Sequence, residues 1–212
     1  MRWRSLPVPN AGITQALTAQ VTKDPLLSHL LASRGVKDYS GAKEFFRPTI
    51  AHLHDPYRMK DMDVAVERIE KARIAQEHVM VYGDYDVDGT TSVALVSEFL
   101  DGKFPIEAYI PDRYKEGYGL SFDGINTAAE LGITLIIALD CGIKAFDQIN
   151  HANTLGIDII VCDHHRPGDE LPKAKEFLNP KRWNVSYPIK KLQGWEVGFK
   201  SFQEHGIPGV LH

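Results

Sequence analysis

Val79-Met80-Val81-Tyr82-Gly83-Asp84-Tyr85-Asp86-Val87-Asp88-Gly89-Thr90-Thr91-Ser92 is the stretch that decides the fold. It opens with four apolar residues rich in β-formers. Three aspartates follow at alternate positions, then Gly89, then the helical-looking run Val93-Ala94-Leu95-Val96. The pattern reads as a buried strand, a tight acidic turn and a helix N-terminus. Three carboxylates this close repel one another, and a fold keeps them together where something cationic neutralises them. Hard oxygen ligands suit Mg²⁺ or Mn²⁺. Asp and Gly are ordinary turn residues, but a plain turn has no need of three aspartates after a buried strand. A D-x-D-x-D-G calcium loop needs a preceding helix and a Glu at its twelfth position, which here is Leu95. Thr90 and Thr91 are placed to cap the helix that follows.

Working outward, strand and helix alternate. Ile106–Ile110, Thr134–Leu139 and Asp158–Cys162 read as further strands, and the second of these is apolar throughout, as in a strand buried on both faces. Helices are expected over Thr91–Leu100, Ser121–Leu131 and Lys144–Leu155. Such alternation implies an α/β fold with a mainly parallel sheet flanked by helices.

Ligands gather beyond the carboxyl ends of the strands in such sheets. The first strand ends in Asp84, Asp86 and Asp88, the strand at 134–139 in Asp140-Cys141-Gly142, and the strand at 158–162 in Asp163-His164-His165. One acidic strand end is commonplace; three delivering acid or imidazole to one rim are specific. Imidazole is a common metal ligand. If the chain stays extended through the His pair, the two rings point opposite ways, so that one could bind metal while the other faces a substrate or packs. The loop Pro111–Gly119 reaches the same rim. There Arg113 and Lys115 could hold phosphates while Tyr114 or Tyr118 stacks a base; the plainer reading is a glycine-hinged surface loop.

Residues 1–78 form a helical preface, and 79–212 the α/β domain. Asp24-Pro25 starts a helix that Gly35 closes. Ser40 is expected to cap a short helix that Pro48 ends, and Met62–Gln76 is amphipathic. His29, His52, His54 and His78 are isolated and read as surface or packing residues. With 43% hydrophobic and 25% charged residues among 212, the chain has an ordinary globular composition. A net charge of −4 excludes a general basic surface, so nucleic-acid binding would use a local patch or bound metal. Two cysteines argue against a disulfide scaffold and suit a reducing compartment. The N-terminus lacks the apolar core of a signal peptide, and no run approaches membrane-spanning length, so a cytoplasmic location without membrane attachment is expected.

These motifs resemble those of the DHH phosphoesterase family, named for the triplet at 163–165. GDYDVDG at 83–89 is similar to its first motif and DCG at 140–142 to its second. Gly83 stands where the pyrophosphatase and oligonucleotide-degrading branches carry a histidine, which points to the single-stranded-DNA exonuclease branch. LLASRG at 30–35, FFRP at 45–48, DPYRMKDMDVAVERI at 55–69, IPDRYKEGYGLS at 110–121 and SYPIKKL at 186–192 extend the similarity over nearly the whole chain. The resemblance implies two divalent ions, Mn²⁺ or Mg²⁺, shared by Asp84, Asp86 and Asp88, bridged by Asp140 and bound by His164. His165 would contact the scissile phosphate, with Asp163 orienting it, and Arg113, Lys115 and Tyr118 would hold the strand. It implies 5′→3′ hydrolysis of single-stranded DNA to 5′-mononucleotides in repair and recombination, with a helicase or single-strand-binding protein as possible partner. The family's further metal-binding aspartate lies well past the triplet, whereas Asp169 is the last aspartate here. The 212 residues therefore read as the N-terminal part of a longer enzyme, with low activity expected in isolation. A small-molecule phosphodiesterase or pyrophosphatase, and a non-catalytic nucleic-acid-binding fragment, are the alternatives.

Overall fold

The computed structural model describes residues 7–52, 54–190 and 192, and the chain divides into two compact units, Met1–His54 and Asp55–His212. In the first unit, α1 (Ala11–Gln20) is capped by Asn10, whose side chain accepts from the Gly12 and Ile13 amides. Its sequence, AGITQALTAQ, buries only Leu17 completely, which is why the periodicity did not announce a helix. Helix α2 (Pro25–Ser33) starts as expected, with Asp24 as cap and Pro25 in the first turn. Helix α3 (Tyr39–Phe46) corrects the expected cap: Asp38, not Ser40, accepts from the Gly41 amide, and Ser40 lies inside the helix. A carboxylate at 38 already satisfies an amide three residues on, so the helix begins earlier. Leu17, Leu31, Val36 and Ala42 form the small core of this unit, which also has a 3₁₀ turn at Ile50–His52.

The second unit opens with a 3₁₀ turn at Pro56–Arg58 and runs through α4 (Met62–Ala75), β1 (Val79–Gly83), α5 (Val87–Leu100), β2 (Ile106–Tyr109), α6 (Phe122–Glu130), β3 (Leu135–Leu139), α7 (Phe146–Thr154), β4 (Asp158–Cys162) and β5 (Glu176–Leu178). All five strands pair in parallel, in the order β2-β1-β3-β4-β5. Strand β5 has only three residues, too short for alternation to reveal. Val79, Val81, Leu135, Ile137, Ile160 and Leu178 share a core with α4 and α5. Met80, Tyr82, Ile136, Ala138, Ile159 and Val161 face the other way and share a core with residues of α6 and α7. Alternate residues of each strand thus serve opposite layers.

Helix α4, grouped with the preface by sequence, lies in the unit that contains the sheet, because Met62, Ala65, Val66, Ile69 and Ala72 bury one stripe in the first of these cores. Arg68 ties that helix to the amino ends of the strands. Its Nη2 donates to Glu77 Oε2 at 2.8 Å and its Nε to Asp158 Oδ2 at 2.6 Å. At the opposite rim, the chain leaves β1 for β2 on one side and returns as β3 on the other. The crevice between β1 and β3 is the topological switch point, where open parallel sheets hold ligands. Among the described residues no helix is long and apolar enough to cross a membrane.

Candidate metal centre

Helix α5 begins four residues earlier than expected, which changes how the acidic stretch works. Asp86 is the N-cap: its Oδ1 accepts from the Gly89 amide at 3.0 Å. Asp88 therefore lies in the first helical turn, where a carboxylate is favoured by the helix dipole. Thr90 and Thr91 do not cap; their hydroxyls donate back to the carbonyls of Asp86 (2.7 Å) and Val87 (2.6 Å). The flanking glycines explain how this turn can close. A Cβ on Gly89 would lie 2.3 Å from the Asp84 carbonyl oxygen, and one on Gly83 would lie 2.7 Å from the Gly89 carbonyl oxygen. The end of β1 and the first turn of α5 touch backbone to backbone, and only glycine permits it.

Asp84 is fully buried. Its Oδ1 accepts from the Gly119 amide at 3.3 Å, while Oδ2 has no hydrogen-bond partner. Burial, with Asp86 nearby, pushes its carboxyl above the ordinary value. Asp140 follows β3 with φ +61, and its amide donates to the Cys162 carbonyl at 2.9 Å, which fixes the turn. Its side chain is 1% exposed, and Oδ1 likewise lacks a hydrogen bond. Burial, then the charges of Asp88, Asp86 and Asp163, push this carboxyl up to about 7, against the opposing pull of His165. Two buried carboxylate oxygens without partners are costly unless a cation or proton joins them.

The two histidines do not point opposite ways. The chain bends at His165 because Asp163 Oδ1 accepts from the His165 amide at 2.8 Å, a local Asx turn. Their ring centroids are consequently 4.7 Å apart, and both rings reach Asp140. His164 Nδ1 is 2.8 Å from the Leu192 carbonyl, which can only accept, so Nδ1 carries the hydrogen. Nε2 then faces Asp140 Oδ1 at 3.1 Å and Asp88 Oδ2 at 3.7 Å. In the neutral ring that places a lone pair against two carboxylates, an arrangement a metal ion would relieve. Atoms of Asp140, His164 and His165 lie within 4.8 Å of one another, close enough to ligate one ion.

His165 is held differently. Its Nδ1 is 2.8 Å from Asp163 Oδ1, and its Nε2 is 3.3 Å from the Tyr118 hydroxyl. The hydrogen bond to Asp163 raises the pKa of the ring. Asp163 itself is fixed by the Ile143 amide on Oδ2 at 3.0 Å, and its carboxyl stays below the ordinary range because these hydrogen bonds outweigh its burial.

Residues 78–209 match the DHH family, N-terminal domain. The chain belongs to the DHH family. It is 40% identical over 212 residues to the single-stranded-DNA-specific exonuclease RecJ of Bacillus subtilis, covering 100% of this chain and 27% of that protein. It is 39% identical over 187 residues to the protein of the same name from Salmonella typhimurium, covering 86% of this chain and 32% of that one. The crystal structure of RecJ in complex with Mn²⁺ from Thermus thermophilus matches with a TM-score of 0.71 and 25% identity, over 94% of this chain and 28% of that one. The chain spans about a quarter to a third of the length of these relatives.

The structure brings Asp140, His164 and His165 within 4.8 Å of one another, with Asp88 3.7 Å from His164 and Asp163 2.8 Å from His165, while Asp84 follows β1 at the same rim and Asp86 caps α5. Tyr118 joins them through His165. Arg113 stands exposed, its guanidinium 5.2 Å from the centre of the Tyr85 ring. Lys115 is exposed on the same loop, its amide held by Asp112 Oδ1 at 3.1 Å. Sequence reading missed several contributors. Tyr85 lies edge-on to Tyr118, with centroids 6.0 Å apart; alternation between aspartates was its one signal. Fully buried Asn179 donates to the His165 carbonyl at 2.9 Å. It follows β5, so nothing in the pattern marked it.

Proposed function

We propose that this chain carries the catalytic metal centre of a hydrolase that removes 5′-mononucleotides from single-stranded DNA. The observation that carries this reading is the pair of buried, unpartnered oxygens, Asp84 Oδ2 and Asp140 Oδ1, beside an imidazole whose hydrogen is committed elsewhere. That donor set of hard carboxylates and one imidazole fits Mn²⁺ or Mg²⁺. Asp84, Asp86, Asp88, Asp140 and His164 would hold two such ions, which supply an activated water and neutralise the phosphate when bound. Leu192 fixes the tautomer of His164, leaving Nε2 as the ligand atom. Asp163 holds the His165 ring by Nδ1, so that Nε2 and the Tyr118 hydroxyl beside it can share a phosphate oxygen. Arg113 and Lys115 meet the phosphates next along the strand, and Tyr118 meets a base or sugar. The relatives named for this activity support the choice of substrate. The two buried cysteines, neither in a disulfide, suit a reducing, cytoplasmic setting, and a helicase or single-strand-binding protein would supply the strand.

The test is digestion of 5′-labelled single-stranded and duplex DNA, pyrophosphate and dinucleotides in Mn²⁺, with calorimetry of Mn²⁺ binding to the same chain. Mn²⁺ binding that Asp140→Asn abolishes, with mononucleotides released from single strands alone, is expected. Binding unaffected by that change, or pyrophosphate cleaved in preference to DNA, would overturn the reading.

A further inference from the structure

The loop between β2 and α6 is closed by one carboxylate that no motif reading singled out. Glu116 Oε2 accepts from the Tyr109 hydroxyl at 2.9 Å and from the Ser121 hydroxyl at 2.5 Å, while Oε1 accepts from the Asp112 amide at 2.7 Å. The three donors come from the end of β2, the cap of α6 and the start of the loop. These hydrogen bonds outweigh the effect of partial burial and keep the Glu116 carboxyl below its ordinary range. A second set of contacts lies behind it. Tyr82 stacks on Tyr109 with centroids 5.1 Å apart, donates to the Gly119 carbonyl at 2.9 Å, and accepts from the Ser121 amide at 3.1 Å.

What this closure holds is the far side of the loop. Tyr118 sits between Gly117 (φ +84) and Gly119 (φ +80), two positions with wide backbone freedom. Its ring has few walls, being 54% exposed. Yet its hydroxyl is placed 3.3 Å from His165 Nε2 and 3.5 Å from the Asp140 carbonyl, and the next amide is placed on Asp84. A residue flanked by two such glycines keeps one position only if the loop is fixed from elsewhere.

We infer that Glu116 is a positioning residue: it latches the β2–α6 loop so that Tyr118 stands on His165 and the Gly119 amide on Asp84. Glu116 touches neither the metal-ligating residues nor the strand; it acts through Tyr118 and Gly119. The structural effects of the latch are independent of the nuclease reading, and only its kinetic effect rests on that reading.

The latch is tested with Glu116→Gln, which keeps the shape but places an amide N–H₂ among hydrogen-bond donors, together with Tyr118→Phe and the double variant. In the metal-free chain at fixed pH, NMR reads amide exchange at Gly119 and the ring ¹⁵N signals of His165. Glu116→Gln should speed Gly119 exchange by about tenfold. It should also move the His165 signals as Tyr118→Phe does, with no further change in the double variant. With Mn²⁺ and single-stranded DNA, KM should rise about tenfold while kcat stays within about twofold. Tyr109→Phe removes one donor and keeps the ring, and serves as a milder variant with a smaller effect in the same direction should Glu116→Gln unfold. His165 signals unmoved by Glu116→Gln but moved by Tyr118→Phe would overturn the latch. A wild-type chain that cuts no DNA would count against the nuclease reading alone, and the NMR readouts would still decide the latch.

Discussion

Asp140→Asn should make the metal-free chain more stable, and only at neutral and alkaline pH. The Asp140 carboxylate is almost completely buried, its Oδ1 lacks a hydrogen bond, and its carboxyl is pushed up to about 7, first by burial and then by Asp88. The unfolded chain restores the ordinary value of 3.8. Between those values the folded protein holds a proton that the unfolded chain has released, so stability falls as pH rises through that window. Above about 7 the full cost is in place. The gap of about 3 pH units, at 1.36 kcal/mol each, gives a destabilisation of up to about 4 kcal/mol. Asparagine removes the charge and keeps the backbone, since it tolerates the left-handed φ of +61 better than alanine.

The assay is urea unfolding followed by circular dichroism in a chelator, at about pH 4, 6 and 8, values that bracket the window. The two proteins should agree at the acid end, and the variant should lead by up to about 4 kcal/mol at the alkaline end. Mn²⁺ should cancel that lead, because an ion bound only by the folded wild type adds about 4.1 kcal/mol at about a thousand times its Kd. A variant that is no more stable at the alkaline end, with the wild-type pH dependence intact, would show that the carboxylate is compensated inside the fold. The rim would then have no need of a cation.

Arg68→Gln should cost about 2 kcal/mol at neutral pH, the scale of hydrogen bonds to charged groups. Hydrogen bonds from Arg68 and Thr134 hold the Glu77 carboxyl below its ordinary value of 4.5 despite burial. That contribution is present above the ordinary value and is lost as pH falls through the lower folded one; a wild-type–variant gap in urea midpoints that does not shrink in acid would refute it. Arg113→Ala should weaken single-stranded DNA binding and lower the salt slope by about 0.7, the share of one phosphate contact on a single strand. Fluorescence titrations at several salt concentrations with an unchanged slope would assign Arg113 to its contact with Tyr85 instead.

The parts of the fold that were legible in sequence are those where one constraint dominates. Strands β1, β3 and β4 are apolar because both faces are covered, and each leads into an aspartate that is itself buried at the end of the strand. The proposed metal ligands stood out because three apolar runs each lead into acid or imidazole groups. Illegible were features set by partners distant in the chain. Strand β5 is three residues long and exists because β4 offers an open edge. Asn179 matters through the His165 carbonyl, Tyr85 through Arg113 and Tyr118, and Glu116 through three donors on three segments. The two histidines depart from expectation for a local reason. Opposed rings require an extended chain, and the hydrogen bond that the Asp163 carboxylate accepts from the His165 amide bends it.

That bend lets a single side chain organise two strand ends. Asp163 fixes the backbone of His165, orients its ring and accepts from Ile143 beyond β3, so it joins the ends of β3 and β4. Asp140 is joined to β4 in the opposite sense, its amide on the Cys162 carbonyl. The carboxylate that most needs a cation is thus carried on the segment with the least freedom to turn away from it. Relief by movement would break the turn, and relief by a proton is available only below about 7. A cation held at this rim would satisfy these oxygens at neutral pH and above, where the Asp140 carboxyl gives up its proton.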